Sequence, residues 1–257
     1  MTFHDLEKGD TRVTLTGQIV EVAGLSPRSR DEMLSLLDRH FAGVSRTTFE
    51  ADLNEKQWAL QLLDAASGAI RGFSTQVLWE LDVDGRRVSA LYSGDTIVDR
   101  DYWGSNLLAQ LWGQFVVSLI DERPDSELVW FLISMGYKTY RFLPVFFREF
   151  YPRHDAPTPR GAKAIIDAAA RLKYGGSYDA SAGIIRAGRT ACRLRAGVAD
   201  VTAERLRDPH VRFFAERNPG HARGDELCCI APLARDNFTK AAHRLLRSAS
   251  LARVVAS

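Results

Sequence analysis

The stretch SGDTIVDRDYWGSNLLAQLWGQF, residues 93–115, begins with strand composition and ends with helix periodicity. Between the two lie Asp99 to Gly104, with three charges, two aromatics and a glycine. A helix N-terminus leaves backbone N–H groups without intrahelical partners and carries partial positive charge, so a strand–loop–helix turn of this kind suits an anion, most often a phosphate. Gly104 lets backbone approach such a ligand, and Arg100 adds charge. The plainer alternative is a β–α connection ended by a capping glycine.

Working outward, the helix after the loop is well marked. Leu107, Leu108, Leu111, Trp112, Phe115, Val116, Leu119 and Ile120 form one stripe at 3.6-residue spacing. SELVWFLIS (126–134) then reads as a buried strand. A helical crossover predicts that it runs parallel to the strand before the loop, with the two splayed near Ile97. On the other side, residues 56–98 read as an antiparallel meander. Its strands are 56–65, 69–83 and 86–98, turned at Ser67-Gly68 and Asp84-Gly85. Residues 12–25 have strand composition. Ser26-Pro27 starts a helix to Phe41, and 45–55 suits a second. YKTYRFLPVFFREFYPR (137–153) is expected to be a helix kinked or restarted at Pro144. Beyond it the expectations are a helix within 156–173, a glycine-rich loop over 174–189, a closing strand in ELCCIAPL (226–233) and a helix over 236–250.

Composition bounds the class. Hydrophobic residues are 46% and charged residues 26% of the 257, which fits a globular chain in water rather than a disordered or fibrous one. No apolar run is long enough to span a bilayer, and the opening MTFHDLEKGDTRVTL lacks the basic start and apolar core of a signal peptide. A cytoplasmic location is expected. Cys192, Cys228 and Cys229 make a poor disulfide framework and are read as reduced. The six histidines are scattered, so no metal is expected. Residues 1–150 hold 15 Lys and Arg against 22 Asp and Glu (net −7), and residues 151–257 hold 19 against 10 (net +9). A basic half attracts phosphate-bearing or acidic partners. It is too nonspecific a signal to make nucleic acid an expected partner.

The order strand, two helices, three antiparallel strands, long helix, strand, helix resembles the GNAT superfamily of acyl-coenzyme A N-acyltransferases over residues 12–150. GAIRGFSTQVL (68–78) resembles that family's third strand. LYSGDTIVDRDYWGSNLLAQL (91–111) resembles its fourth strand, pyrophosphate loop and third helix. The family's loop usually reads Gln/Arg-x-x-Gly-x-Gly/Ala; in the frame Asp99 to Gly104 only the last glycine matches. The resemblance implies an α/β (α+β) fold with a mixed, mostly antiparallel sheet. Residues 1–153 would form the acyltransferase core. Residues 154–257 would be an extension that completes the sheet and covers the acceptor pocket; it resembles the extended, N-acyl amino acid synthase-like forms of the fold, which acylate amino acids from long-chain thioesters.

It further implies direct attack of an amine acceptor on an acyl thioester, either acyl-CoA or an acyl carrier protein. Ile97 and Val98 would pair with the pantetheine arm, and Arg100, Trp103, Gly104 and Ser105 would hold the phosphates. A carboxylate takes the amine proton, and Glu80 and Asp95 both stand near enough in sequence to serve. A tyrosine protonates the leaving thiolate; Tyr137 and Tyr140 flank the start of their helix, and Tyr140, one turn in, is the choice. A non-catalytic ligand- or partner-binding protein of the same fold is the alternative. Neither acyl chain, acceptor nor oligomeric state is legible.

Overall fold

The computed structural model describes residues 14–188 and 192–247. In chain order the strands are β1 (Leu15–Glu21), β2 (Phe41–Ala42), β3 (Trp58–Asp64), β4 (Ile70–Val83), β5 (Arg86–Val98), β6 (Glu127–Ser134), β7 (Tyr178–Asp179), β8 (Ile184–Ile185), β9 (Arg193–Leu194) and β10 (Glu226–Pro232). The helices are α1 (Pro27–His40), α2 (Arg46–Asn54), α3 (Leu107–Glu122), α4 (Tyr137–Tyr140), α5 (Phe142–Phe146), α6 (Arg160–Tyr174), α7 (Pro209–Arg217) and α8 (Lys240–Arg247). The large sheet has the order β1-β3-β4-β5-β6-β10-β8-β7, while β2 and β9 pair separately.

Within the large sheet β5 and β6 are parallel, as the crossover through α3 predicts, and the other pairs are antiparallel. The β3–β4–β5 meander forms as read, with Asp84 and Gly85 both at positive φ in its second turn. Side chains alternate across the sheet. On β6, Leu128, Trp130 and Leu132 face a core shared with α3, α5 and α8. Val129 and Phe131 face the opposite core, shared with α6. At the β1–β3 end that second face is covered by α1 and α2, through Met33, Leu36, Phe49 and Leu53.

Two features position the site. First, the β5–β6 ladder runs from Val88↔Glu127 to Ser93↔Leu132 and stops, although β5 continues to Val98. The parting thus begins several residues before Ile97. Second, β5 bulges there: Ser74 opposes Thr96 and Gln76 opposes Ser93, so Gly94 and Asp95 face the single residue Thr75. Gly94 is required at this point, because a Cβ would lie 2.6 Å from Lys56 Cε and 2.7 Å from Thr75 Oγ1.

One expected element does not form. The chain after Gly136 makes the short α4 and α5, and Phe147 leaves in extended conformation at φ −123° and ψ 141°. Pro144 donates no N–H, and the aromatic residues that follow serve the sheet face. Phe147 bridges Phe238, and Tyr151 bridges Ile230. The expected strand 12–25 also ends early, at Glu21, in a 3-10 turn over Val22–Gly24. The C-terminal helix is described only to Arg247; residues 248–250 lie outside the described residues.

Candidate active site

Where β5 and β6 part, one cavity of about 940 Å³ opens through the sheet. On the α3 face it is apolar, lined by Leu108, Trp112, Trp130, Phe147, Phe238 and Leu246 among others. Trp112 and Trp130 pack with ring centres 4.4 Å apart and planes tilted by 45°. On the α6 face the same cavity is lined by Asp52, Tyr92, Asp95, Tyr174 and Glu226. One arm therefore suits a hydrocarbon chain, and the other holds titratable groups.

A hydrogen-bond chain fixes the parting. Trp130 Nε1 donates to Ser93 Oγ at 2.8 Å, Ser93 Oγ to Gln76 Oε1 at 2.6 Å, and Gln76 Nε2 to Ser74 Oγ at 2.7 Å. Ser74 Oγ lies 2.7 Å from Thr96 Oγ1 across the bulge. Buried polar groups satisfied in this way specify one arrangement of strands.

The polar arm is organised by charge. Lys56 is buried, and its ammonium bonds Asp52 at 2.7 Å. Lys173 bonds Asp52 at 2.9 Å and also pairs with Glu55. The Tyr92 and Tyr174 hydroxyls lie 2.6 Å apart. Beside them, Asp95 and Glu226 have no hydrogen-bonded or ion-paired side-chain partner among the described residues. Shelter from bulk water pushes the Asp95 carboxyl up to about 6, with Asp52 adding to the rise while Lys56 and Lys173 oppose it. Shelter pushes Glu226 up to about 8, and the charges of Asp95 and Asp52 contribute. Asp95 therefore gives up its proton more readily than Glu226, so the pair offers one carboxyl fitter to accept a proton and one fitter to donate it.

Of the residues nominated from sequence, Asp95, Ile97, Val98, Trp103 and Ser105 line the cavity. Arg100 flanks it, its guanidinium 5.5 Å from the Trp103 ring centre. Gly104 has open space around it and does not line the cavity. Glu80 lies away from the cavity, accepting from Ser89 Oγ at 3.0 Å and pairing with Arg123. Tyr140 is fully buried among Phe150, Phe213 and Phe214, and its hydroxyl donates to the Pro152 carbonyl at 2.9 Å. Tyr137 is the tyrosine of that segment which reaches the cavity.

Sequence reading missed Glu226, Tyr92, Tyr174 and Asp52. Glu226 had a signal, as the lone charge opening an otherwise apolar strand. Cys192 also lines the cavity, but burial and the charges of Asp95 and Glu226 raise its thiol pKa, which suits no neutral-pH nucleophile.

Part of the loop's backbone is bonded within the protein, while the N–H groups of Arg100, Asp101, Gly104 and Asn106 have no acceptor among the described residues. Asp99 N–H donates to Arg71 O, Tyr102 N–H to Asp99 O, Trp103 N–H to Arg100 O and Ser105 N–H to Tyr102 O. Leu107 N–H is taken by Ser105 Oγ at 3.2 Å. Asp99 pairs with Arg39 at 3.1 Å, and Trp103 Nε1 donates to Val98 O at 2.9 Å. Among the described residues no helix is long and apolar enough to cross a membrane.

No protein-family model and no curated protein matches the chain. Solved structures do resemble it. A probable N-acyltransferase from Enterococcus faecalis is 14% identical over 52% of this chain, with a TM-score of 0.40. The match spans only 33% of that protein's length. A GNAT family N-acetyltransferase from Escherichia coli in complex with CoA is 20% identical, covering 52% of this chain and 69% of its own, with a TM-score of 0.37. A Trypanosoma brucei acetyltransferase is 17% identical, covering 56% and 99%, with a TM-score of 0.38. Among the described residues the chain's own strand order, with the parallel and parting pair β5–β6 in an otherwise antiparallel sheet, gives it a GNAT-like fold.

Proposed function

We propose that the protein is an N-acyltransferase that moves an acyl group from a thioester to an amine by direct attack. The observation that carries this reading is the continuous cavity at the parting of β5 and β6, apolar on one face and carboxylate-lined on the other. The thioester carbonyl would sit at the parting, and its acyl chain would extend among Trp112, Trp130, Phe147 and Leu246. Burial of such a chain is favourable by about 25 cal/mol per Å² of apolar surface, which favours long-chain donors over acetyl. The amine would enter on the α6 face. Asp95 takes its proton as it attacks, a base of pKa about 6 held within the site. Glu226 or Tyr137, both at the cavity wall, protonates the departing thiolate.

A second reading, a non-catalytic ligand-binding protein of this fold, is favoured by one observation: the Val98 carbonyl is already bonded within the protein, by the Trp103 indole. The two separate on thiol release. Acyl-CoA donors from acetyl to palmitoyl are offered with a panel of primary amines and amino acids, and free thiol is followed with time. Amine-dependent release that rises with chain length supports the transferase. Tight donor binding without any amine-dependent release supports the binding protein.

A further inference from the structure

Lys56 stands in the turn between α2 and β3, and its whole side chain is buried. Its ammonium donates to the Asp52 carboxylate at 2.7 Å and to the Asp52 backbone carbonyl at 2.9 Å. Its stem runs against Gly94: a Cβ on that glycine would lie 2.6 Å from Lys56 Cε and 3.4 Å from Nζ. The Tyr92 ring centre is 5.4 Å from the same nitrogen. Lys56 thus fills the space behind the bulge, against the residue that precedes Asp95. The backbone there is fixed too. Lys56 N–H donates to Leu53 O at 3.0 Å, and Gln57 N–H to Gln76 O at 2.9 Å.

Packing alone does not account for a charge at this place. A buried ammonium costs free energy on leaving water, and a methionine of similar length would fill the same space without that cost. Nor is Lys56 the sole partner of Asp52, because Lys173 bonds the same carboxylate at 2.9 Å. Two ammonium groups on one buried carboxylate leave positive charge near Asp95, since Glu55, the further partner of Lys173, is more than half exposed. Lys56 and Lys173 of α6 favour the ionised form of Asp95, and Asp52 of α2 opposes it. Glu226 of β10 and Cys192 feel the Asp95 charge in turn. Tyr92 of β5 and Tyr174 of α6 complete the wall, their hydroxyls bonded to each other.

We infer that Lys56 is the positioning residue of the candidate base: its stem holds the bulge that presents Asp95 to the cavity, and its ammonium supplies the positive charge behind that carboxylate. The inference deepens the transferase reading and takes the role of Asp95 from it.

Two readouts on the full chain keep the inference and that reading apart. Carboxyl-carbon NMR of the aspartate-labelled protein follows Asp95 with neither donor nor acceptor present, its signal assigned by its loss in Asp95→Asn. The unaltered protein should titrate at about pH 6. In Lys56→Met the midpoint should rise by about one unit or more, the usual effect of removing a close opposite charge. Lys56→Gln, which can still donate to Asp52, should show the same rise and carries the test if the methionine variant does not fold. With any donor and amine that react, the acid limb of kcat in Lys56→Met should move with the NMR midpoint, and KM for the amine should stay within about twofold. Lys56→Ala removes the stem as well and should lower the kcat plateau above that limb about tenfold or more, as a displaced catalytic group does. The inference is overturned if the midpoint stays within about 0.3 unit in the uncharged variants, or if Lys56→Ala keeps the plateau. A shifted midpoint in a protein that transfers nothing keeps the link from Lys56 to Asp95 and removes the transferase reading. Transfer with an unshifted midpoint does the reverse.

Discussion

The Trp103 indole N–H donates to the Val98 carbonyl at 2.9 Å, so the side chain that caps the cavity mouth holds the end of the parting strand. Val98 is where a pantetheine arm would find its backbone partner, and the indole competes for that carbonyl. Trp103→Phe keeps an aromatic ring under Lys138 and removes the competing donor. Pantetheine affinity should rise roughly two- to tenfold, the worth of one hydrogen bond. Calorimetry checks this, and an unchanged or weaker affinity means that Val98 O is not a ligand.

Asp95→Asn should lower kcat about 10²–10⁴-fold, the usual contribution of a positioned base. The activity of the unaltered protein should rise through pH 6 as Asp95 ionises, and that limb should vanish in the variant. Glu80→Gln should leave the pH profile in place, because Glu80 lies outside the cavity. Steady-state rates from pH 5 to 9 give both answers.

Stability should carry the mark of the same two carboxyls. Their folded pKa values, about 6 for Asp95 and about 8 for Glu226, lie above the unfolded values of roughly 4. The folded state then binds more protons, so their contribution is full below pH 4 and is lost as pH rises to about 8. Glu226→Gln should gain stability relative to the unaltered protein at pH 9, by up to about 5 kcal/mol for a shift of this size, and little at pH 4.5. Denaturant melts at both values decide it; an equal effect at the two would detach Glu226 from this linkage.

The apolar arm predicts chain-length selection. Ala109, on α3, lines the cavity. Ala109→Phe should cut activity with palmitoyl donors about tenfold or more while sparing acetyl and butyryl donors, since loss of each buried CH₂ weakens binding by about 0.8 kcal/mol. Equal losses for all donors would place the chain elsewhere.

Tyr140→Phe should leave turnover within about twofold and reduce stability by about 1 kcal/mol, the loss of a hydrogen bond to Pro152 O. Tyr137→Phe is the variant expected to slow turnover if a tyrosine protonates the thiolate. Comparing kcat and melting midpoint for the pair separates the roles.

Much of the architecture was legible. The Leu107–Ile120 stripe and the apolar run at 127–134 give the crossover, and the crossover gives the parallel pair. What was not legible depends on contacts between distant segments. At the bulge, Gly94 is approached by Thr75 of β4 and by Lys56 from the turn before β3, which no local pattern records. Asp95 could be picked out from its place before the loop, whereas Glu226 joins it only because β10 pairs with β6. Tyr140 looked available one turn into a helix; it is instead the last residue of the short α4, and packing turns that side chain toward Phe214. Of the loop amides that read as free donors, those of Tyr102, Trp103 and Ser105 are spent on carbonyls within the turn, a matter of conformation rather than composition.

Single-turnover transfer from an acyl thioester to an amine, in the unaltered protein and in Asp95→Asn, tests the central claim most directly. Intact-mass spectrometry of the quenched protein and quantitation of N-acyl product and free thiol are read together. The account predicts product and thiol in equal amounts, no acylated protein at any time, and a rate about 10²-fold or more lower in Asp95→Asn. An acyl adduct on Cys192, or a variant that transfers at the unaltered rate, would contradict it.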